Sequence, residues 1–175
     1  LTFENMTGYV MVAEWDNLAQ IGSVTATGGE LDRIELPGTG LDAPLTMDNK
    51  GVPYQNRATA NISADLTIEA GTQILMSESS RIIVDSEGTI TANGTEESPI
   101  VIESAADSPS SGDWQYVQLE DGPNTFTWTV FRHANEALRQ NGDVAITLNN
   151  VTFEQNGCDY SIFTSNTEDK WTFNN

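Results

Sequence analysis

Cysteine, histidine and positive charge are all scarce in this chain. Cys158 is the one cysteine, so no intrachain disulfide can form and the fold of 175 residues must rest on its core. With no histidine near it in sequence, Cys158 is expected to be a small buried filler. His133 is the one histidine. It cannot build a histidine metal site by itself, and a hydrogen-bonded turn residue is its expected role. Seven Lys and Arg face 26 Asp and Glu, for a net charge of −19. Such a field repels nucleic-acid phosphates and anionic lipid, so neither is expected as a partner. No run of about 18 apolar residues occurs, so no helical membrane insertion is expected.

Apolar stripes of helical period are also missing. Short runs stand in their place: Leu66–Ile68, Ile74–Met76, Ile82–Val84, Ile90–Ala92 and Ile100–Ile102. Each is rich in Ile, Val, Leu and Thr, and each is closed by Gly, Ser, Asn or Pro, which is strand chemistry with frequent turns. Alternation puts Leu66 with Ile68, Ile82 with Val84 and Ile100 with Ile102 on one face. Further strands are predicted at Tyr9–Ala13, Glu30–Pro37, Trp114–Leu119, Phe126–His133, Val144–Leu148, Val151–Phe153 and Tyr160–Thr164. Composition turns to Gly, Pro, Asp and Asn over Pro37–Val52 and to Ser, Asp and Pro over Ser104–Gly112, which reads as connector and surface loop. Ala134–Gln140 alone has helical propensity, enough for a single turn.

Unusually short strands closed by turns of Gly, Ser, Asn and Asp, without the Asn-Gly hairpin signals expected at every other turn of an antiparallel sheet, favour a solenoid over a sandwich or barrel. Stacking coil on coil then builds the core that no coil can bury alone. Leu66-Thr67-Ile68-Glu69-Ala70-Gly71-Thr72, preceded by Val52-Pro53-Tyr54 and followed by Gly94-Thr95, Pro99–Ser104 and Gly112-Asp113-Trp114, resembles the right-handed parallel β-helix repeats of bacterial secreted and surface proteins. The resemblance covers Gly51–Asn156. It implies an all-β, right-handed, single-stranded parallel β-helix at the cell surface or secreted. One β-helix domain is expected over residues 1–175: the end of a preceding unit and an irregular connector (1–50), main coils (51–156) and the start of a further coil (157–175). Leu1–Asn5 is echoed by Val151–Gln155, which suggests one period of a longer array whose partners are neighbouring solenoid units. Gly22–Lys50 departs from the repeat pattern.

The β-helix fold hosts many functions, so chemistry must come from residues. The Asn-Thr-Asp, Asp-Asp, Gly-His-Gly and Arg-Ile-Lys signatures of polygalacturonases are absent. Arg132 and His133 form the most enzyme-like pair, since a cation beside a carboxylate set suits an acidic sugar. Trp114, Tyr116 and Trp128 lie on two consecutive strand-like runs. Stacked in register and exposed, they would offer, with Arg132 and His133, a platform for the apolar faces of sugar rings. Packed inward, Trp128 would instead fill the core. Asp107 and Asp113 flank a loop whose chemistry suits Ca²⁺, although no known Ca²⁺ loop pattern occurs. No other cofactor is implied. Thr25, Thr27, Thr89, Thr91, Thr127 and Thr129 do not recur at a fixed coil period, so a threonine ladder of the ice-binding kind is not expected. The expected function is a non-catalytic extracellular module acting in adhesion, carbohydrate binding or rigid spacing, with a polysaccharide or cell-surface glycan as partner. The alternative is a lyase or glycoside hydrolase acting on an acidic polysaccharide.

Overall fold

The computed structural model describes residues 1–163 and 171–174. Its strands pair in parallel throughout, coil on coil, in a β-helix of about eight turns. Three long sheets run along the solenoid. The first holds seven strands: Tyr9–Val12, Leu31–Leu36, Tyr54–Asn56, Gln73–Met76, Ile100–Ser104, Thr129–Arg132 and Thr152–Glu154. The second holds Gly40–Leu41, Thr59–Ile62, Arg81–Val84, Val117–Leu119, Glu136–Gln140 and Cys158–Ile162. The third holds Leu45–Met47, Asp65–Glu69, Thr89–Asn93, Asn124–Thr127, Ile146–Asn149 and Trp171–Asn174. Thr2–Glu4 and Thr25–Thr27 pair separately.

Period-two alternation explains the core. In the first sheet Ile34, Tyr54, Ile74, Ile102, Phe131 and Phe153 stand in one register column. All of these but Phe153 are fully buried. Phe131 stacks on Phe153 at 5.6 Å and meets Phe126 edge-on at 5.4 Å, joining the first and third sheets. Leu41, Ile62, Val84 and Leu119 form the equivalent column of the second sheet. A 3₁₀ helix, Trp15–Gln20, packs on Gly40–Leu41 and Leu45–Met47 and drives Trp15 and Leu18 into that end of the core.

Four expectations are corrected. Glu136–Gln140 is a strand, not a helical turn, because Ala137 and Leu138 pack in the core and its backbone pairs with strands on both sides; tertiary pairing overrides weak helix propensity. Phe126–His133 is two strands broken at Trp128, whose φ of 45° turns the chain between sheets. Gly22–Lys50, expected to be irregular, supplies a strand to each long sheet. Cys158 is exposed, because it sits opposite Glu136 on an outward position of the second sheet. The echoed segments stand in different sheets: Thr2–Glu4 pairs with Thr25–Thr27, and Thr152–Glu154 with Thr129–Arg132. Thr164 lies outside the described residues.

Candidate functional site

The richest polar surface is the outward side of the first sheet, where side chains opposite the core column share one row. Gln55, Leu75 and Glu103 stand on successive rungs, and Arg132 stands opposite Glu154. Because Ile102 pairs with Phe131, the next residues, Glu103 and Arg132, are neighbours as well. Arg132 is thus bracketed by carboxylates. Its Nη1 lies 3.6 Å from Glu103 Oε2 and its Nε 2.7 Å from Glu154 Oε2. The second contact is Coulombic, off the N–H direction. Gln73 Nε2 donates to Glu103 Oε1 at 2.7 Å, extending the chain of contacts to the neighbouring row.

The chain then turns into the second sheet at His133, in the left-handed region with φ 65°. One coil on, Gln155 makes the same turn with φ 53°, and His133 Nε2 lies 3.0 Å from Gln155 Oε1. An amide oxygen only accepts, so that contact places the imidazole proton on Nε2. His133 is 7% exposed, and its Nδ1 is buried without a partner. Its carbonyl accepts the amides of Gly112 and Asp113, which ties the 105–112 loop to this corner.

That loop walls a cleft of about 280 Å³ lined by Glu78, Ser79, Ser104, Ala106, Ser111, Gly112 and Asp113. Asp113 is fully engaged. Its Oδ2 accepts from the Ser104 hydroxyl at 2.6 Å and the Ser110 amide at 3.0 Å, and its Oδ1 from the Ser110 hydroxyl at 2.8 Å. Foremost the Ser104 hydroxyl, and then Ser110 and the nearby His133, hold its carboxyl below the usual carboxylate range against a smaller opposing effect of burial. Asp113 is therefore an anion that shapes the loop. A general acid at neutral pH needs the opposite shift. Among the described residues no three His, Cys, Asp or Glu side chains cluster as a metal site.

The five predicted residues separate. Trp114 is fully buried, and its Nε1 donates to the Arg132 carbonyl at 2.7 Å. It therefore supports the Arg132 strand from within and has no face for a sugar, because its ring lies inside the solenoid. Tyr116, 8% exposed, lies beneath the Arg139 guanidinium at 3.7 Å and accepts from Arg81 Nη1 at 3.2 Å. Its ring faces are covered, and the exposed platform of Trp114 and Tyr116 is not present. Trp128 is half-buried at the corner where Thr129–Arg132 begins, about 16 Å of strand from His133. Arg132 and His133 remain together. Sequence reading did not single out Gln73, Glu103, Glu154 or Ser104. Only register could have found them, since coils of unequal length set them at irregular intervals.

Residues 44–120 match the family model of a pectate-lyase-like β-helix domain. Neither the curated proteins nor the solved structures yield a match. The pectate-lyase-like stretch holds Gln73, Glu103, Ser104 and Asp113. Trp128, Arg132, His133 and Glu154 lie past its end, so half of the polar row falls outside it.

Proposed function

We propose that this pectate-lyase-like β-helix acts outside the cell as a non-catalytic carbohydrate-binding module, secreted or displayed on the surface. The observation that carries the reading is the linear polar chain Gln73–Glu103–Arg132–Glu154 on the outer side of the first sheet. Pre-paired amide, carboxylate and guanidinium groups suit the recognition of sugar hydroxyls, because they are oriented before the ligand arrives. Proton transfer asks for a carboxyl held in its acid form, whereas Asp113 beside the cleft is held as an anion. Trp128 supplies a half-buried ring at one edge of this face. The 105–112 loop and its cleft bound the other.

A polysaccharide lyase or hydrolase is the second reading, and one feature favours it beside the family match. Glu103 and Glu154 stand two rungs apart, about 9.6 Å of backbone, close to the separation of the paired carboxyls in inverting hydrolases.

Incubation with neutral and acidic polysaccharides, with and without Ca²⁺, separates the two through retention on the polymer and release of new chain ends. Retention without release is expected. Arg132→Ala and Trp128→Asn are expected to weaken it about tenfold each. Asn is the safe replacement, because Asn150 makes the same left-handed turn one coil on. Release of unsaturated or reducing ends, lost in Glu103→Gln, would establish the enzyme instead.

A further inference from the structure

The outer face of the third sheet carries a column that spacing along the chain conceals. Thr46 pairs with Thr67, Thr67 with Thr91, Thr91 with Thr125, Thr125 with Thr147 and Thr147 with Thr172. The strand neighbours Met47, Leu66, Ile68, Ile90, Ala92, Phe126, Ile146 and Leu148 are buried, so alternation turns the first five threonines outward, and Thr172 follows them through its pairing with Thr147. The loops between coils differ in length, which is why no fixed period shows in sequence. Of the threonines considered in the sequence only Thr91 stands in this column; Thr25 and Thr27 lie in the separate two-stranded sheet and Thr129 in the first sheet.

Three properties of this face bear on what it meets. First, none of the six hydroxyls has a hydrogen-bond partner among the described residues. Second, from Thr89 onward every outward strand position is Thr or Asn: Thr89, Thr91 and Asn93, Thr125 and Thr127, Thr147 and Asn149, Thr172 and Asn174. Asp65 and Glu69 flank Thr67 on the coil before, so a molecule of net charge −19 keeps the four coils from Thr89 onward free of charge on this face, which selects an uncharged partner there. Third, the column beside the threonines is held in place. Asn149 Nδ2 donates to Thr127 Oγ1 at 3.1 Å, and Asn174 Nδ2 donates to Asn149 Oδ1 at 2.8 Å.

We propose that this face binds ice. Parallel strands repeat about every 4.8 Å, so the hydroxyls do too. In ice each oxygen makes tetrahedral O–H···O bonds of about 2.75 Å, which sets next-nearest oxygens about 4.5 Å apart. With the column centred on the lattice, a mismatch of about 0.3 Å per rung leaves the four middle hydroxyls within about 0.45 Å of register, inside the roughly 0.5 Å range of O–H···O distances, and the two end ones about 0.75 Å off. The threonine methyl groups interrupt the hydration layer between hydroxyls, and the rigid coils fix the array without an ordering cost at contact. A dissolved small ligand needs a concave site. A cleft of about 280 Å³ lies at the 105–112 loop, on the far side of the first sheet, and one of about 150 Å³ lies at the corner between the third and first sheets, lined by Asn49, Gly51, Val52, Pro53, Gly71 and Gln73; no threonine of the column lines either. The inference is independent of the glycan reading, since it uses another sheet and other residues.

The test is partition of the purified 175-residue chain into slowly growing ice, with thermal hysteresis and inhibition of ice recrystallisation measured alongside. The unaltered chain is expected to enter the ice fraction. The double variant Thr91→Tyr, Thr125→Tyr is expected to lose about tenfold or more of the hysteresis with unchanged far-UV circular dichroism. Thr125→Val, which keeps the β-branched shape, guards against a packing effect and is expected to lose part of the activity. Asn61→Ala, on the outer side of the second sheet, is expected to match the unaltered chain. Exclusion of the chain from ice would overturn the proposal, as would ice retention that the double variant leaves intact. Retention on microcrystalline cellulose or chitin in the absence of ice binding, lost in the double variant, would assign the face to a solid glycan and equally overturn it.

Discussion

Hydroxyls more than cations hold Asp113 as an anion, and that gives a residue-scale signature. The Ser104 hydroxyl is the largest influence depressing its carboxyl, followed after the opposing effect of burial by Ser110 and His133. Glu136 is depressed mainly by its two-pronged contact with Arg139 and also by the Ser161 hydroxyl. A carboxyl depressed on folding contributes stability that is complete above its unfolded value, about 4. That contribution is lost as pH falls through the folded value. Asp113→Asn is accordingly expected to melt below the unaltered protein at pH 7. The gap should hold down to about pH 5 and close progressively on further acidification. A gap that persists unchanged in acid would place the cost in loop packing rather than in charge.

At the scale of elements, the corners decide the fold as much as the strands do. Trp128 and Asn150 make stacked left-handed turns into the first sheet, and His133 and Gln155 make stacked left-handed turns out of it. Such conformations are costly for bulky side chains, so Trp128 and His133 persist only because the coils on either side fix them. The neighbouring coil also dictates a glycine. A Cβ on Gly94 would stand 2.3 Å from the Trp128 carbonyl oxygen and 2.7 Å from that of Thr127, both backbone atoms. Gly94→Ala is therefore expected to destabilise by about 1–3 kcal/mol, read as a lower denaturation midpoint with unchanged slope. A substitution with no effect would show that this corner can yield.

Across the whole molecule the two ends of the solenoid differ. The 3₁₀ helix Trp15–Gln20 covers one. At the other, Thr152–Glu154, Cys158–Ile162 and Trp171–Asn174 are the outermost described strands of their sheets. Tyr160, Ile162, Phe163 and Phe173 are exposed there, and Tyr160, Trp171 and Phe173 rings lie 5.0–5.8 Å apart. Parallel edges that no described residue pairs, beside apolar rings, invite association. The isolated 175-residue chain is expected to self-associate in sedimentation, more strongly as salt screens the −19 charge. Ile162→Lys with Phe173→Lys should return it to monomer. A monomer at all concentrations and salt levels would mean that this end is closed in solution.

Local chemistry in the sequence was sufficient for the strands and their inward faces. The β-branched triplets closed by polar turns at Leu66–Ile68, Ile82–Val84 and Ile100–Ile102 admitted little else, and their apolar pairs are all buried. The solenoid followed from the same pattern, because strands this short bury a core only by stacking. What tertiary structure decided was register. Strand positions two residues apart face the same way, but which coil meets which depends on every loop between them. The 105–112 insertion alone displaces all later residues. Hence Trp114 and Tyr116, which looked like one exposed run, went to the core and beneath Arg139, whereas Glu103, Arg132 and Glu154, far apart in sequence, became neighbours. The threonine column is the same lesson at larger scale: six residues at irregular intervals fall into one line because hydrogen-bonded coils, not residue counts, set their spacing.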